Sequence, residues 1–137
     1  RMSAGGTATI RDRALVIAAA IVAALVTWAI ARLLVGDPLL VESGDGEGTV
    51  TIGPVPVVVA TLTGGLLGWG VLVVLERFTG QPRRVWLILA LIALSVSMLG
   101  VAQAIGTGTT ISLLALHVVV GLVLIAGFLR TVRGERT

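Results

Sequence analysis

Four apolar runs divide the chain, at about residues 14–35, 55–75, 85–104 and 111–129. Each holds ~20 residues, enough at 1.5 Å per helical residue to cross a ~30 Å hydrocarbon core. Polar segments separate them. Residues 36–54 are rich in Gly, Asp and Glu, residues 79–84 carry Gly80, Pro82 and an Arg pair, and residues 106–109 alternate Gly and Thr. With so little chain left over, the pattern predicts one domain over residues 1–137. It is an all-α integral membrane protein, a four-transmembrane-helix bundle running up-down-up-down. In the external loop 36–54, two short β-prone runs, 39–41 and 49–52, flank a Gly/Asp/Glu turn. That loop is either a small β-hairpin or a flexible acidic segment. The first run follows Arg11 and Arg13 and contains Ala29-Ile30-Ala31, the layout of a cleavable signal peptide. Its apolar length exceeds a usual signal core, and cleavage would leave Arg32 at the new terminus, so retention is expected.

Composition agrees with the pattern. Of 137 residues, 56% are hydrophobic and 12% charged, and the mean hydropathy is +1.08. A soluble domain carries about a quarter charged residues, so a soluble globule and a disordered tail are both excluded. The absence of Cys excludes disulfides, thiolate metal sites and thiol redox chemistry. An Arg in first position suggests a trimmed or partial chain.

Charge changes the picture by its placement. The net charge is +3 and the pI about 11.4, yet all ten basic residues are Arg. Nine lie outside the apolar runs in three short groups: Arg1, Arg11 and Arg13; Arg77, Arg83 and Arg84; Arg130, Arg133 and Arg136. None is long enough to track a nucleic-acid groove, so no nucleic-acid partner is expected. In a four-span chain these groups share one side with Asp12, Glu76 and Glu135, for a net +6. The other side has Arg32 against Asp37, Glu42, Asp45 and Glu47, a net −3. The positive-inside rule then predicts a multi-pass plasma-membrane protein with cytoplasmic N- and C-termini. Glu76 and Arg77 read as a helix-end anchor, Trp86 as an aromatic-belt residue at the same level, and Trp28 and Trp69 as packing residues.

Small residues are placed to pack helices. Thr61, Gly64, Gly65 and Gly68 share one face of the second span, and Gly64 with Gly68 forms the GxxxG pattern that lets helices approach closely in lipid. Ala90, Ala93, Ser97, Gly100 and Ala104 form a small stripe on the third. The expected helix-packing residues are therefore Gly64, Gly68, Ala93, Ser97 and Gly100, used within the bundle or between copies.

His117 is the sole His and the one ionisable group well inside a span, which makes it a candidate functional residue. It lies seven residues into the fourth run, ~10 Å below the outer end. The same depth on the other spans reaches Thr27, Trp28, Thr61 and Ser97, with Gln103 nearer the surface. This layer is the candidate ligand site in the outer third of the bundle. It is otherwise a packing layer in which His117 donates to a hydroxyl or a backbone carbonyl and pins helix register. A lone His gives no metal site and no cofactor is implied. Every carboxylate lies at or beyond a membrane boundary, so no Ser/His/Asp set forms, and no P-loop, GxGxxG or HExxH occurs.

Pro54, Ala60-Thr61-Leu62-Thr63, Glu76-Arg77-Phe78 with Pro82-Arg83-Arg84, and Leu116-His117-Val118-Val119 together carry a resemblance. Over roughly residues 14–130 the chain resembles the small four-span membrane proteins of actinobacteria grouped as domain-of-unknown-function family 6069. The resemblance implies a four-helix bundle in the plasma membrane and no assigned activity. The functional expectation is a non-enzymatic accessory or scaffold subunit, partnered by the lipid bilayer and by a larger membrane complex or copies of itself. The alternative is a small-molecule or lipid binding protein or transporter whose site lies around His117.

Overall fold

The computed structural model describes residues 4–132; Arg1, Arg133, Glu135 and Arg136, counted above among the charge groups, lie outside the described residues. Four helices form in the predicted order: α1 (Ala4–Val35), α2 (Pro54–Phe78), α3 (Pro82–Ser97) and α4 (Thr107–Leu129). Each is long and apolar enough to cross a membrane once the 3₁₀ turn Met98–Gln103 is counted with α3. Their ends follow from local chemistry. Pro54 and Pro82 each stand in the first turn of a helix, where the missing amide N–H costs nothing. Gly106, at φ +87°, supplies the backbone turn that starts α4. The Ser97 hydroxyl donates to the Leu94 carbonyl at 2.7 Å, and there α3 tightens into the 3₁₀ turn.

The side of the bundle opposite the termini is capped by a small antiparallel sheet in the order β2-β1-β3: β1 (Leu40–Glu42), β2 (Thr49–Thr51) and β3 (Ala104–Ile105). Segment 36–54 is thus a hairpin rather than a flexible loop. The sequence pattern gave no sign of β3, which pairs Ala104 with Val41 and Ile105 with Leu40 and so ties the end of α3 to the hairpin. At the hairpin tip the Ser43 hydroxyl and then the Glu47 amide donate to the Asp45 carboxylate and hold its pKa below the usual range. Leu39 is fully buried under the sheet, and the Trp28 indole N–H donates to the Ile52 carbonyl at 2.9 Å, fastening the sheet to α1.

Packing is uneven. Helix α1 lies against α4 and α2, and α3 meets α2 and α4. Two apolar clusters hold the bundle. Towards the sheet, Ala24, Val57, Val101, Leu113 and Leu116 pack together; towards the termini, Ile17, Leu72, Trp86 and Phe128 do. Trp86 is not an interfacial belt residue. It is buried and meets Phe128 edge to face with ring centroids 5.6 Å apart, because the start of α3 is drawn into the second cluster. Helix α3 is therefore held at its two ends, while its middle exposes Leu87, Ile88, Leu91 and Ile92.

The close helix approaches use glycines other than those expected. A Cβ at Gly127 would lie 2.6 Å from Val16, at Gly108 2.8 Å from Val35, and at Gly65 2.9 Å from Ile17, so these three seat α1 against α4 and α2. Gly121 receives Leu94 of α3 in the same way, at 2.9 Å. Gly64 and Gly100 face open space, and Gly68 abuts the rings of Trp86 and Phe128 rather than a helix backbone. The GxxxG pair is thus not a helix–helix seam within the bundle, since α1 docks one residue round the helix, on Gly65.

Candidate functional site

Between α2, α3 and α4 lies a groove of about 740 Å³, within the ~300–1,000 Å³ range of small-molecule sites. It exists because the small-residue faces of α2 and α3 look at one another across a gap instead of interlocking. Ala60 and Gly64 line one wall, Ala90, Ala93 and Ser97 the other, and Leu116, His117, Val120 and Gly121 of α4 form the back. Along α2 the groove runs from Pro56 to Val71, ~22 Å at 1.5 Å per residue. Trp86 closes the termini end, and Ile52 with Ala24 the sheet end. Ala60, Gly64, Ala93 and Ser97 are exposed, so the groove opens sideways between α2 and α3.

Of the residues proposed as a polar layer, His117, Thr61 and Ser97 line this groove. Thr27, Trp28 and Gln103 are not among its walls. The Thr27 hydroxyl donates to the Ala23 carbonyl on its own helix, Trp28 is engaged with Ile52, and Gln103 is exposed in the 3₁₀ turn. Helix α4 begins at Thr107, so His117 lies ten residues, ~15 Å, along it.

The three polar side chains do not cross-link helices. His117 Nδ1 is 2.7 Å from the Leu113 carbonyl; because a carbonyl can only accept, Nδ1 carries the proton. The Thr61 hydroxyl donates to the Val57 carbonyl at 2.8 Å, and Ser97 to Leu94 as above. Each bond stays within one helix and fixes no register between helices. Among the described residues no carboxylate lines the groove, and no three His, Asp or Glu side chains gather as metal ligands. The Trp86 indole N–H is buried and has no hydrogen-bond partner among the described residues.

A second polar constellation lies at the termini end and was not expected. Arg13 is buried, and its Nη2 meets both Glu76 carboxylate oxygens at 2.9 and 2.8 Å. The same guanidinium donates to the Thr131 hydroxyl at 3.1 Å and to the Thr131 carbonyl at 3.0 Å. Arg83 donates to the Leu129 carbonyl at 2.9 Å. Two guanidinium groups thereby satisfy carbonyls left over at the C-terminal end of α4, where the helix dipole favours cations. Glu76 is consequently a partner of α1 rather than a simple interfacial anchor with Arg77, which remains exposed. The available signal was the common level of Arg13 and Glu76 in a four-span topology, with opposite charges at the edge of apolar runs.

A family model described as "Family of unknown function (DUF6069)" matches residues 5–134. No curated protein and no solved structure matches the chain.

Proposed function

The chain belongs to the DUF6069 family, a membership that carries no assigned activity, and we propose that it is a non-enzymatic membrane protein that holds a bilayer-soluble small molecule in the α2–α3–α4 groove. One observation carries this reading. A continuous, laterally open, nearly all-apolar groove has its few polar side chains, His117, Thr61 and Ser97, within its walls. Such a site admits a molecule from the lipid phase and orients it by a small number of polar contacts. The lack of any carboxylate in the groove supports a binding role over acid–base catalysis. The Arg asymmetry supports a plasma-membrane location with cytoplasmic termini, and the Arg-rich, Lys-free composition supports an actinobacterial source.

The second reading, an accessory or scaffold subunit on a larger complex or on itself, is favoured by the exposed small residues Gly64 and Ala93 on the groove rim. They would suit a foreign helix as well as a lipid-like molecule. One experiment separates the two. The wild type and a groove-filling Gly64→Leu/Ala93→Leu variant are purified in nanodiscs from native membranes, and co-purifying proteins and small molecules are identified by mass spectrometry. The binding reading expects a small molecule retained by the wild type and lost from the variant. A stoichiometric membrane protein, or a homo-oligomer, that is lost instead establishes the scaffold reading and removes the first.

A further inference from the structure

Of the groove side chains, His117, Thr61 and Ser97 leave only acceptors unpaired, while the unpaired Trp86 indole N–H is a donor buried out of reach of the groove space. His117 spends its Nδ1–H on Leu113, Thr61 its hydroxyl proton on Val57, and Ser97 its own on Leu94. With the imidazole in its neutral form, what remains is the Nε2 lone pair and the lone pairs of two hydroxyls. No other bond to these three side chains occurs among the described residues, and His117 Nε2 is accessible on a ring that lines the groove.

Resting on the groove-binding reading above, we propose that the bound molecule is a hydrogen-bond donor, a neutral long-chain alcohol whose O–H donates to His117 Nε2 while its chain follows the α2–α3 walls. Ketones, esters and ethers only accept, and would meet lone pair with lone pair. Ammonium groups donate but carry a charge, and carboxylic acids lose their donor on ionising; charge at this depth is expensive. A phospholipid is disfavoured by geometry, because its polar group stays at the interface whereas His117 lies ~15 Å along α4. The hydroxyl therefore enters the bilayer with the rest of the molecule.

The test compares hexadecanol with hexadecyl methyl ether, each brominated at mid-chain. Quenching of tryptophan emission is followed in nanodiscs bearing the full chain, since Trp86 lines the groove. The ether differs from the alcohol in lacking the donor. In the wild type the alcohol binds roughly 3- to 20-fold tighter than the ether, the range one hydrogen bond in a membrane supplies. In His117→Leu the two bind alike and binding of the ether persists; in Gly64→Leu both are lost. Equal binding of the two in the wild type, or preference for the ether, overturns donor selection while leaving the groove reading intact. Quenching by neither overturns both. The wild-type comparison alone decides the matter if His117→Leu does not fold.

Discussion

Arg13 shows how a residue's role depends on what its neighbours bring to it. Its side chain is 3% exposed and that of Glu76 14%, so the pair has left water, and its attraction is repaid only through the full set of bonds to Glu76 and Thr131. Removing one partner strands the other. Glu76→Ala should cost about 3–5 kcal/mol, measured by thermal or detergent-titrated unfolding. Arg13→Leu/Glu76→Leu should cost far less than Glu76→Ala, since two apolar side chains leave no orphaned charge. Arg13→Lys should fall between, because an ammonium cannot serve the carboxylate and both Thr131 oxygens with the planar fork of a guanidinium. The charges were legible in sequence as topology signals; their pairing was not, because it joins the first helix to the ends of the second and fourth.

Among the elements, the glycines separate pattern from packing. A GxxxG motif marks helix faces capable of close approach, and the face it marks on α2 lines an open groove. The close approaches at Gly65, Gly108, Gly121 and Gly127 follow from the rotation of each helix, a quantity that apolar composition does not encode when all faces meet either lipid or protein. Gly127→Ala should therefore destabilise by about 1–3 kcal/mol, as overpacking does, because its methyl would press on the branched Val16. Gly64→Ala, with open space beyond it, should change stability by no more than about 0.5 kcal/mol. The same unfolding assay reads both, and a reversed order would show that α1 docks on the GxxxG face after all. Trp86 at the start of α3 and Val101 in the 3₁₀ turn after it lie in opposite clusters, which leaves the intervening turns to form a groove wall.

Taken whole, the molecule has one charged end and one capped end. The Arg13–Glu76–Thr131 cluster gathers the first third of α1 with the ends of α2 and α4, on the side of the bundle opposite the sheet. Which compartment each side faces is a prediction from charge. The chain contains no Cys, so single cysteines report without background. Glu47→Cys, on the hairpin, should react with a membrane-impermeant maleimide on intact cells, and Gln81→Cys, in the α2–α3 turn, only after permeabilisation. The converse pattern would invert the topology.

Span number, span order and the shared side of the outer helix ends were readable from residue order, because hydropathy is local and the bilayer imposes the same length on every helix, while the hairpin was one of two readings of segment 36–54. The layer of His117, Thr61 and Ser97 was half readable. Counting residues gave their approximate level, but not which of their neighbours turn towards the same space. The groove, the intrahelical bonding that leaves it lined with acceptors, the buried Arg13–Glu76 pair and the third strand emerge only when the helices are rotated and set against one another. That arrangement is governed by side-chain shape at contacts distant in sequence, and in a chain this uniformly apolar no periodicity marks the buried side of a helix.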